Sequence, residues 1–275
     1  MSTDISLPDV RVDDGPVLLS LHSDGVAHVR MNRPQAANGM NMEQLQALHA
    51  VLLQVHGDER VRAVLLTGAG RNFCAGGDVH TFLSKGEQLP GYIRTATALL
   101  QNVVTLMMRM NPPVVTAVQG YAAGGGGMGL VCSSDFVIAA ASANFLAGAT
   151  RVAMVPDAAV SVTLTQLVGL RKAMEILLLN PVIPAAEALA IGLVTRVVAD
   201  DQLDDAALAL ARQLATGAPA AQAATKRLLW NGLGQTVDAC MPEENRFQSQ
   251  LSGMGDALEG LRAVIDKRAP RFTGR

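Results

Sequence analysis

Two glycine-rich segments contain the residues best suited to chemistry, residues 72–78 (Asn-Phe-Cys-Ala-Gly-Gly-Asp) and residues 120–129. Each follows a predicted strand, and the second opens a predicted helix. Backbone N–H groups from two such loops can converge on one oxygen atom, and a helix N-terminus adds partial positive charge. The spacing therefore predicts an oxyanion-binding site, with tight turns and close helix packing as the alternative.

Nucleotide binding is a second interpretation of the same glycines. Gly124, Gly126 and Gly129 match G-x-G-x-x-G. A dinucleotide site, however, needs that motif directly after its strand and an acid about 20 residues later. Several residues separate the glycines from Val118, and Ala-Gly-Ala occupies positions 147–149. The sequence also lacks a Walker lysine after the glycines, so nucleotide binding is disfavoured.

Asp157 is the one acidic residue between Asp135 and Glu175. Its neighbours are apolar, and desolvation by such neighbours raises the pKa of a carboxyl group. A raised pKa suits a carboxylate that both takes and returns a proton. The position after Pro156 and before an alanine-rich helix also fits a helix N-cap, and the two roles can coexist.

Composition and charge exclude several classes of protein. The chain has 275 residues, 49% of them hydrophobic, with 26 Gly but only 6 Phe, 2 Tyr and 1 Trp, which predicts an aliphatic core with close backbone contacts. The formal net charge is −2, and the densest basic stretch, residues 267–271, has no interleaved aromatic residue. Neither a disordered chain nor a nucleic-acid-binding protein fits these values.

Strand and helix signals alternate over the first two thirds of the chain. A hairpin is predicted at residues 17–31, a helix capped by Asn41 follows, and strands at 61–67, 114–118 and 135–140 alternate with glycine loops and helices. Helical patterns dominate afterwards. We therefore predict an α/β core over residues 1–200 and a helical C-terminal region over 201–275 that packs on the core or on a neighbouring subunit.

Three further patterns bear on location and metals. Cys74, Cys132 and Cys240 are odd in number and widely spaced, which favours a reducing, cytoplasmic location. Residues 110–134 carry no charge, but their prolines and glycines favour a strand, a loop and a buried helix over a membrane span. No histidine or cysteine pair has metal-ligand spacing, so no metal site is predicted.

Several ordered motifs resemble the crotonase family, also called the enoyl-CoA hydratase/isomerase family. They comprise residues 61–68, the Phe73–Asp78 loop, Ala117–Gly120 with the glycines that follow, residues 135–140, Glu259–Ala263 and residues 267–272. The resemblance covers about residues 17–274. It implies a spiral of stacked ββα units, a helical C-terminal trimerisation region, and a homotrimer or a hexamer made of two trimers.

The resemblance also implies a ligand and its site. An acyl-CoA thioester would bind with its carbonyl oxygen on the N–H groups of Gly77 and of either Gly125 or Gly126, with Gly126 preferred from the helix spacing. Coenzyme A is then part of the substrate, and no separate cofactor is expected. The further residues expected to bind substrate are Ala75, Gly76, Asp78, Met128 and Met154. Lys226 and Arg227 are assigned to a solvated helix face, with contact to CoA phosphates as the alternative.

Two acidic residues that family hydratases use are missing. The alignment puts Gly129 and Ala149 at their positions, and neither can activate a water molecule. Asp157 is then the remaining proton shuttle, which favours a double-bond isomerase over a hydratase. Two alternatives stay open: a dehalogenase-like or hydrolase-like member in which Asp157 is the nucleophile, and a member that binds acyl-CoA without catalysis.

Overall fold

The computed structural model describes residues 9–275, so residues 1–8 of the predicted core lie outside it. Ten strands are found in this range: β1 (Asp9–Val12), β2 (Val17–Leu21), β3 (Val26–Met31), β4 (Ala63–Gly68), β5 (Val114–Val118), β6 (Tyr121–Ala123), β7 (Phe136–Ala140), β8 (Asn144–Leu146), β9 (Ile183–Pro184) and β10 (Arg196–Val198).

Eleven α-helices accompany these strands in the same range. They are α1 (Met42–Gly57), α2 (Val79–Ser84), α3 (Leu89–Arg109), α4 (Gly124–Cys132), α5 (Val160–Val168), α6 (Leu170–Met174), α7 (Ala185–Ala190), α8 (Leu203–Ala215), α9 (Pro219–Gly232), α10 (Val237–Ser252) and α11 (Gly255–Ile265). Asn41 caps α1 as predicted, since its side chain accepts a hydrogen bond from the N–H of Gln44.

Seven strands form the larger sheet, in the order β1-β2-β3-β4-β5-β7-β10. The predicted hairpin pairs β2 with β3 in antiparallel fashion, and β3, β4, β5, β7 and β10 run parallel. β4 and β5 are buried along their whole length, as expected for central parallel strands covered on both faces.

A second, three-stranded sheet has the order β6-β8-β9. Single bridges extend it, because Met40 pairs with Gly77 and Cys74 pairs with Ala122. Each turn of the chain thus adds one strand to the large sheet and a short extended segment to the second layer before a helix follows. This arrangement confirms the predicted α/β spiral of stacked units. Sequence reasoning did not predict the short strands β6, β8 and β9.

The core is aliphatic, as the composition predicts. Among the described residues, Phe73 and Phe145 are the two aromatic side chains in the buried core. α8 belongs to this core, because its face of Leu203, Ala207 and Ala211 is buried against the sheet. The boundary at residue 200 stays a prediction.

The C-terminal helices differ from the sequence reading in two ways. α10 was not predicted. Lys226 on α9 is buried and ion-paired with Asp135, at 2.6 Å between Nζ and Oδ2, so its assignment to a solvated face was wrong. Within residues 9–275 no helix is both long enough and apolar enough to cross a bilayer.

Candidate functional site

The first glycine loop lies directly against the start of the second. The N–H of Cys74 donates to the carbonyl of Tyr121 at 3.0 Å, and the N–H of Ala123 donates back to Cys74 at 2.8 Å. Gly76 has φ +94°, and a β-carbon there would lie 2.8 Å from the Ala123 oxygen. Only glycine fits both the backbone conformation and the close approach.

Gly77 presents a free amide toward the second loop. Its two neighbours are paired with Met40, since the Met40 N–H donates to Gly76 O and the Asp78 N–H donates to Met40 O. Successive N–H groups of extended backbone point in opposite directions, so the N–H of Gly77 points away from Met40. That side faces Gly124, where a β-carbon would lie 3.7 Å from the Gly77 nitrogen. The Gly77 N–H has no acceptor within residues 9–275.

The second loop forms the first turn of α4. Ala123 is the N-cap residue, and no side chain caps this helix. The first four N–H groups of a helix have no intrahelical acceptor. The N–H of Ala123 is used by Cys74, which leaves those of Gly124, Gly125 and Gly126 to face the first loop and the adjoining pocket. The helix N-terminus thus offers free donors next to Gly77.

Gly125 and Gly126 face different neighbours. A β-carbon on Gly126 would lie 2.7 Å from the Met40 sulfur and 3.4 Å from the Gly76 carbonyl carbon. One on Gly125 would lie 1.6 Å from Oδ1 of Asp157. Both glycines therefore keep the backbone accessible, one toward the first loop and the other toward the carboxylate.

Asp157 lies in the turn before α5, where its carboxylate packs against Gly125. Its side chain is half-buried, and within the described part of the chain it has no ion-pair partner and accepts a hydrogen bond only from its own backbone N–H. Burial raises the pKa of Asp157, opposed weakly by its own backbone N–H. A carboxyl group with this environment can hold a proton at a higher pH than an exposed one can.

The turn that carries Asp157 has an uncommon backbone. Ala158 and Ala159 have φ values of +51° and +61°, a left-handed conformation that costs free energy in residues with a β-carbon. Ala159, not Asp157, is the N-cap of α5, and no side chain caps that helix. The N-cap interpretation of Asp157 was therefore wrong, and after this turn the carboxylate lies against Gly125 instead.

Neither family glutamate position carries an acid. A β-carbon on Gly129 would lie 2.4 Å from the β-carbon of Ala158, so Ala158 fills the space that a side chain at position 129 would need. Ala149 begins a 3-10 helical turn, Ala149–Val152. Among the described residues, no three His, Cys, Asp or Glu side chains cluster closely enough to share a metal ion.

A small apolar cavity of about 10 Å³ lies beside the second loop. It includes Met128, one of the predicted substrate-binding residues. The residues that line it are Gly124, Gly125, Met128, Ala147, Ala149, Pro156, Val160 and Leu177. Gly125 lines this cavity and also contacts the Asp157 carboxylate, so the two lie side by side.

The other predicted substrate-binding residues are distributed around the first loop and beyond it. Gly76 touches the second loop as described, and Ala75 is exposed, with its N–H bonded to Ala37 O. Asp78 caps α2 and pairs with Arg33 at 3.2 Å. The pKa of Asp78 lies below its ordinary value. Burial raises this pKa, but the hydrogen bonds from the Thr81 N–H and from Arg33 together lower it by more. Met154 is half-buried and does not line the pocket.

Sequence reasoning missed the residues that hold the first loop in place. Asn38 is fully buried with φ +54°, and its Nδ2 donates to the carbonyls of Ala69 and Asn72 at 2.9 and 2.8 Å. Its Oδ1 accepts from the N–H of Arg33. The Ala-Asn-Gly order at residues 37–39 is a turn signal that could have identified it. Leu177 and Ala147 of the pocket carry no such signal.

Comparison with known proteins identifies relatives along nearly the whole chain. The family model for enoyl-CoA hydratase/isomerase matches residues 22–275. A Rhodobacter capsulatus protein named "Probable enoyl-CoA hydratase" is 37% identical over 254 residues, 92% of this chain and 96% of that one. The 1,2-epoxyphenylacetyl-CoA isomerase of Escherichia coli is 33% identical, covering 94% and 98%. The 4-chlorobenzoyl coenzyme A dehalogenase-2 of an Arthrobacter species is 31% identical, covering 85% and 84%.

Solved structures agree with these sequence relatives. The enoyl-CoA hydratase of Mycobacterium smegmatis superimposes with a TM-score of 0.88 at 29% identity, covering 94% of this chain and 99% of that one. The enoyl-CoA hydratase of Bacillus anthracis gives a TM-score of 0.87 at 29% identity, covering 97% and 100%. With the family model, the relatives and the fold in agreement, the chain belongs to the enoyl-CoA hydratase/isomerase family, the crotonase family, and is an enzyme of that family.

Proposed function

We propose that this enzyme is an enoyl-CoA isomerase that moves a carbon–carbon double bond from the 3-position to the 2-position of an acyl-CoA thioester. The observation that carries the proposal is Asp157, a partly desolvated carboxylate that packs against Gly125, and Gly125 also lines a small apolar cavity. The positions of the hydratase glutamates, Gly129 and Ala149, have no carboxylate to activate water.

The proposed reaction needs one base and one oxyanion site. The Asp157 carboxylate removes a proton from C2 of the 3-enoyl thioester, and the electron pair moves onto the thioester oxygen as a dienolate. The protonated Asp157 then returns that proton to C4, the double bond forms between C2 and C3, and the carbonyl is restored. The proton is conserved, so water and an external acid are not consumed.

The negative oxygen of the dienolate is the part of the reaction that the glycine loops stabilise. Gly77 supplies one N–H, and Gly125 or Gly126 supplies the second from the start of α4. Donors that are already in position lose no free energy to reorganisation when the charge develops. The partial positive charge at the N-terminus of α4 acts in the same direction.

Other family chemistries have weaker support at this site. The Rhodobacter relative is named as a hydratase, but the space at position 129 is filled by Ala158. The Arthrobacter relative is a dehalogenase of an aromatic thioester, whereas the pocket lining here has no aromatic side chain among the described residues. A protein that binds acyl-CoA without turnover would not need a carboxylate at this position, nor the left-handed backbone of Ala158 and Ala159 that follows it.

Substitution of Asp157 by Asn tests the proposal, because Asn keeps the shape of the side chain and removes the base. Turnover of a 3-enoyl-CoA should fall about 10²–10⁴-fold, with little change in the affinity for a saturated acyl-CoA. Glu43→Gln, an exposed carboxylate on α1, is the matched control and should retain full activity. Turnover by D157N within tenfold of the wild type, or wild-type hydration of 2-enoyl-CoA faster than isomerisation, would exclude the proposed reaction.

Assembly as a homotrimer, or as a hexamer of two trimers, is part of the same proposal. Large apolar side chains are exposed along the C-terminal helices, among them Leu229, Val237, Leu261, Val264 and Ile265. Exposed apolar surfaces of this kind mark protein–protein contacts.

A cytoplasmic location remains a prediction from the cysteine pattern. The thiols of Cys74 and Cys132 are buried and free, and burial raises the pKa of each to about 12.

A further inference from the structure

Phe82, on the short helix α2, is a large apolar side chain whose position the hydrophobic core does not explain. It is half-buried, and among the described residues it belongs neither to the buried core nor to the partly buried side chains packed against that core. Its ring points back at the first glycine loop, because a β-carbon on Gly77 would lie 2.6 Å from Phe82 Cε2. The end of the ring therefore rests on the residue that offers the first free N–H.

A second aromatic ring, that of Tyr92 on α3, supports Phe82 in this position. The two rings meet nearly edge-on, with 6.0 Å between their centroids and 66° between their planes. This is a favourable geometry for an aromatic pair. Tyr92 packs against the core, and its hydroxyl accepts a hydrogen bond from the Met42 N–H at 3.0 Å. Tyr92 is therefore anchored independently of Phe82.

Gly77 is thus held from two directions. Met40 forms hydrogen bonds with the residues on both sides of it, which fixes the Gly77 backbone within the plane of the paired segments. Side chains stand roughly perpendicular to such a plane, and the Phe82 ring lies on that side of Gly77. Hydrogen bonds therefore restrict motion of this residue in the plane, and the aromatic ring restricts motion out of it.

Two consecutive glycines, Gly76 and Gly77, make such support necessary. Glycine has more backbone freedom than any other residue, whereas an oxyanion donor is effective only if it is already in position when the charge develops. The ring of Phe82 also occupies space that water would otherwise take beside this peptide. Electrostatic interactions become stronger where water is excluded, so the same contact favours a stronger hydrogen bond from Gly77.

We propose that Phe82 is a positioning residue of the oxyanion site, which keeps the Gly77 N–H directed at the thioester oxygen and shields it from water. The inference rests on the proposed function in one respect, that a thioester oxygen binds at Gly77. Phe82 acts through Gly77 and takes no part in proton transfer. Its loss should therefore weaken the stabilisation of the dienolate more than the binding of the unreacted thioester.

Infrared difference spectroscopy of a bound thioester tests the proposal without turnover. The probe is hexanoyl-CoA with and without a heavy carbon isotope at the thioester carbonyl, so that the difference spectrum isolates the C=O stretch, which a hydrogen bond lowers. The proteins are the wild type, F82A, F82L and the control L83A, which removes an 81% exposed side chain from the same helix. F82A should lose about half or more of the wild-type lowering, F82L should fall between, and L83A should match the wild type.

Turnover of a 3-enoyl-CoA gives a second readout on the same proteins. F82A should lower kcat about 10–10²-fold, whereas its Kd for hexanoyl-CoA should stay within about threefold of the wild-type value. A residue that only stabilises the fold would change the melting temperature and leave the carbonyl frequency of bound hexanoyl-CoA as it is in the wild type.

The outcomes separate this proposal from the isomerase proposal. An F82A protein with the wild-type carbonyl frequency, or an L83A protein that shifts as much as F82A, overturns the role of Phe82. F82L decides the question in the same way if F82A fails to fold, because it keeps an apolar side chain at this position. A wild type that binds no thioester, or binds it with an unshifted carbonyl, overturns both proposals. A wild type that lowers the carbonyl frequency but does not isomerise a 3-enoyl-CoA overturns the proposed reaction alone.

Discussion

At the scale of single residues, the site depends on side chains that are absent as much as on those that are present. Gly125 has no side chain, and the Asp157 carboxylate occupies the space beside it. Gly129 has none either, and Ala158 fills that space. Among the described residues the carboxylate has no ion-pair partner, and desolvation outweighs the hydrogen bond from its own backbone N–H, so its pKa is raised. A raised pKa is what the proposed role of Asp157 in proton transfer requires.

The pH dependence of isomerisation should report this environment directly. Asp157 must be ionised to accept a proton, and burial raises its pKa above the ordinary 3.8. The value of kcat/KM should therefore fall as the pH drops through that raised pKa and reach a plateau above it. Protonation of Asp157 does not itself favour unfolding, because a raised pKa means that the folded state binds this proton more tightly than the unfolded state does. A flat profile of kcat/KM in the acid range, with the fold intact by circular dichroism, would contradict the assignment.

At the scale of elements, the start of α4 must be helical and must also leave no room for side chains. Its glycines lower helix propensity, by about 1 kcal/mol each relative to alanine. Larger residues, however, would collide with Met40, Cys74 and Asp157. Tertiary contacts compensate, since residues 126–132 of the helix are buried. The result is a helix N-terminus whose N–H groups remain open beside Gly77.

Gly126→Pro, compared with Gly126→Ala, should identify the second oxyanion donor. Both substitutions place a β-carbon near the flexible end of Met40, but only proline removes the N–H. Proline is tolerated in the first turn of a helix. If Gly126 is the donor, kcat should be about 10²–10³-fold lower for G126P than for G126A. Similar kcat values in the two variants would assign the donor to Gly125 instead.

At the scale of the whole molecule, a buried ion pair joins the C-terminal helices to the sheet. The Lys226 ammonium on α9 contacts Asp135 and donates to the carbonyls of Met107 and Pro112 at 2.7 and 3.1 Å. Asp135 also accepts from the Trp230 indole and from the Val114 N–H. Burial lowers the pKa of Lys226, and the charge of Asp135 opposes this shift. The network thus connects α9 to α3, β5 and the end of α4.

Lys226→Met should destabilise the protein by about 3 kcal/mol, because it leaves Asp135 buried without its cation. The neighbouring Arg227 is exposed, with a 3.3 Å contact to Asn111, and Arg227→Met should cost less than about 1 kcal/mol. Urea unfolding of both variants measures the difference. Equal free energies of unfolding for the two variants would show that the buried pair does not hold α9 in place.

Patterns with a local cause were predictable from the sequence. The hairpin at β2 and β3, the Asn41 cap, the strands β4, β5 and β7 and the two glycine loops all follow from periodicity and from residue types with strong conformational preferences. α10 escaped prediction because its composition is mostly polar, none of its residues is buried, and Pro242 stands inside it, where proline usually ends a helix. Lys226 was misassigned because a lysine between exposed residues gives no local sign of a buried partner.

The sequence by itself determined which groups are available for chemistry. It has glycines in two loops, no acid at positions 129 and 149, and Asp157 as the one carboxyl group between Asp135 and Glu175. Only the tertiary structure decided what these groups face. Asp157 contacts Gly125, Ala158 fills the space at Gly129, and Leu177 lines the cavity beside the second loop. The Gly77 N–H lies free beside Gly124. Each of these arrangements brings together segments that are far apart in the chain. Such contacts depend on packing in three dimensions, which local sequence preferences do not encode.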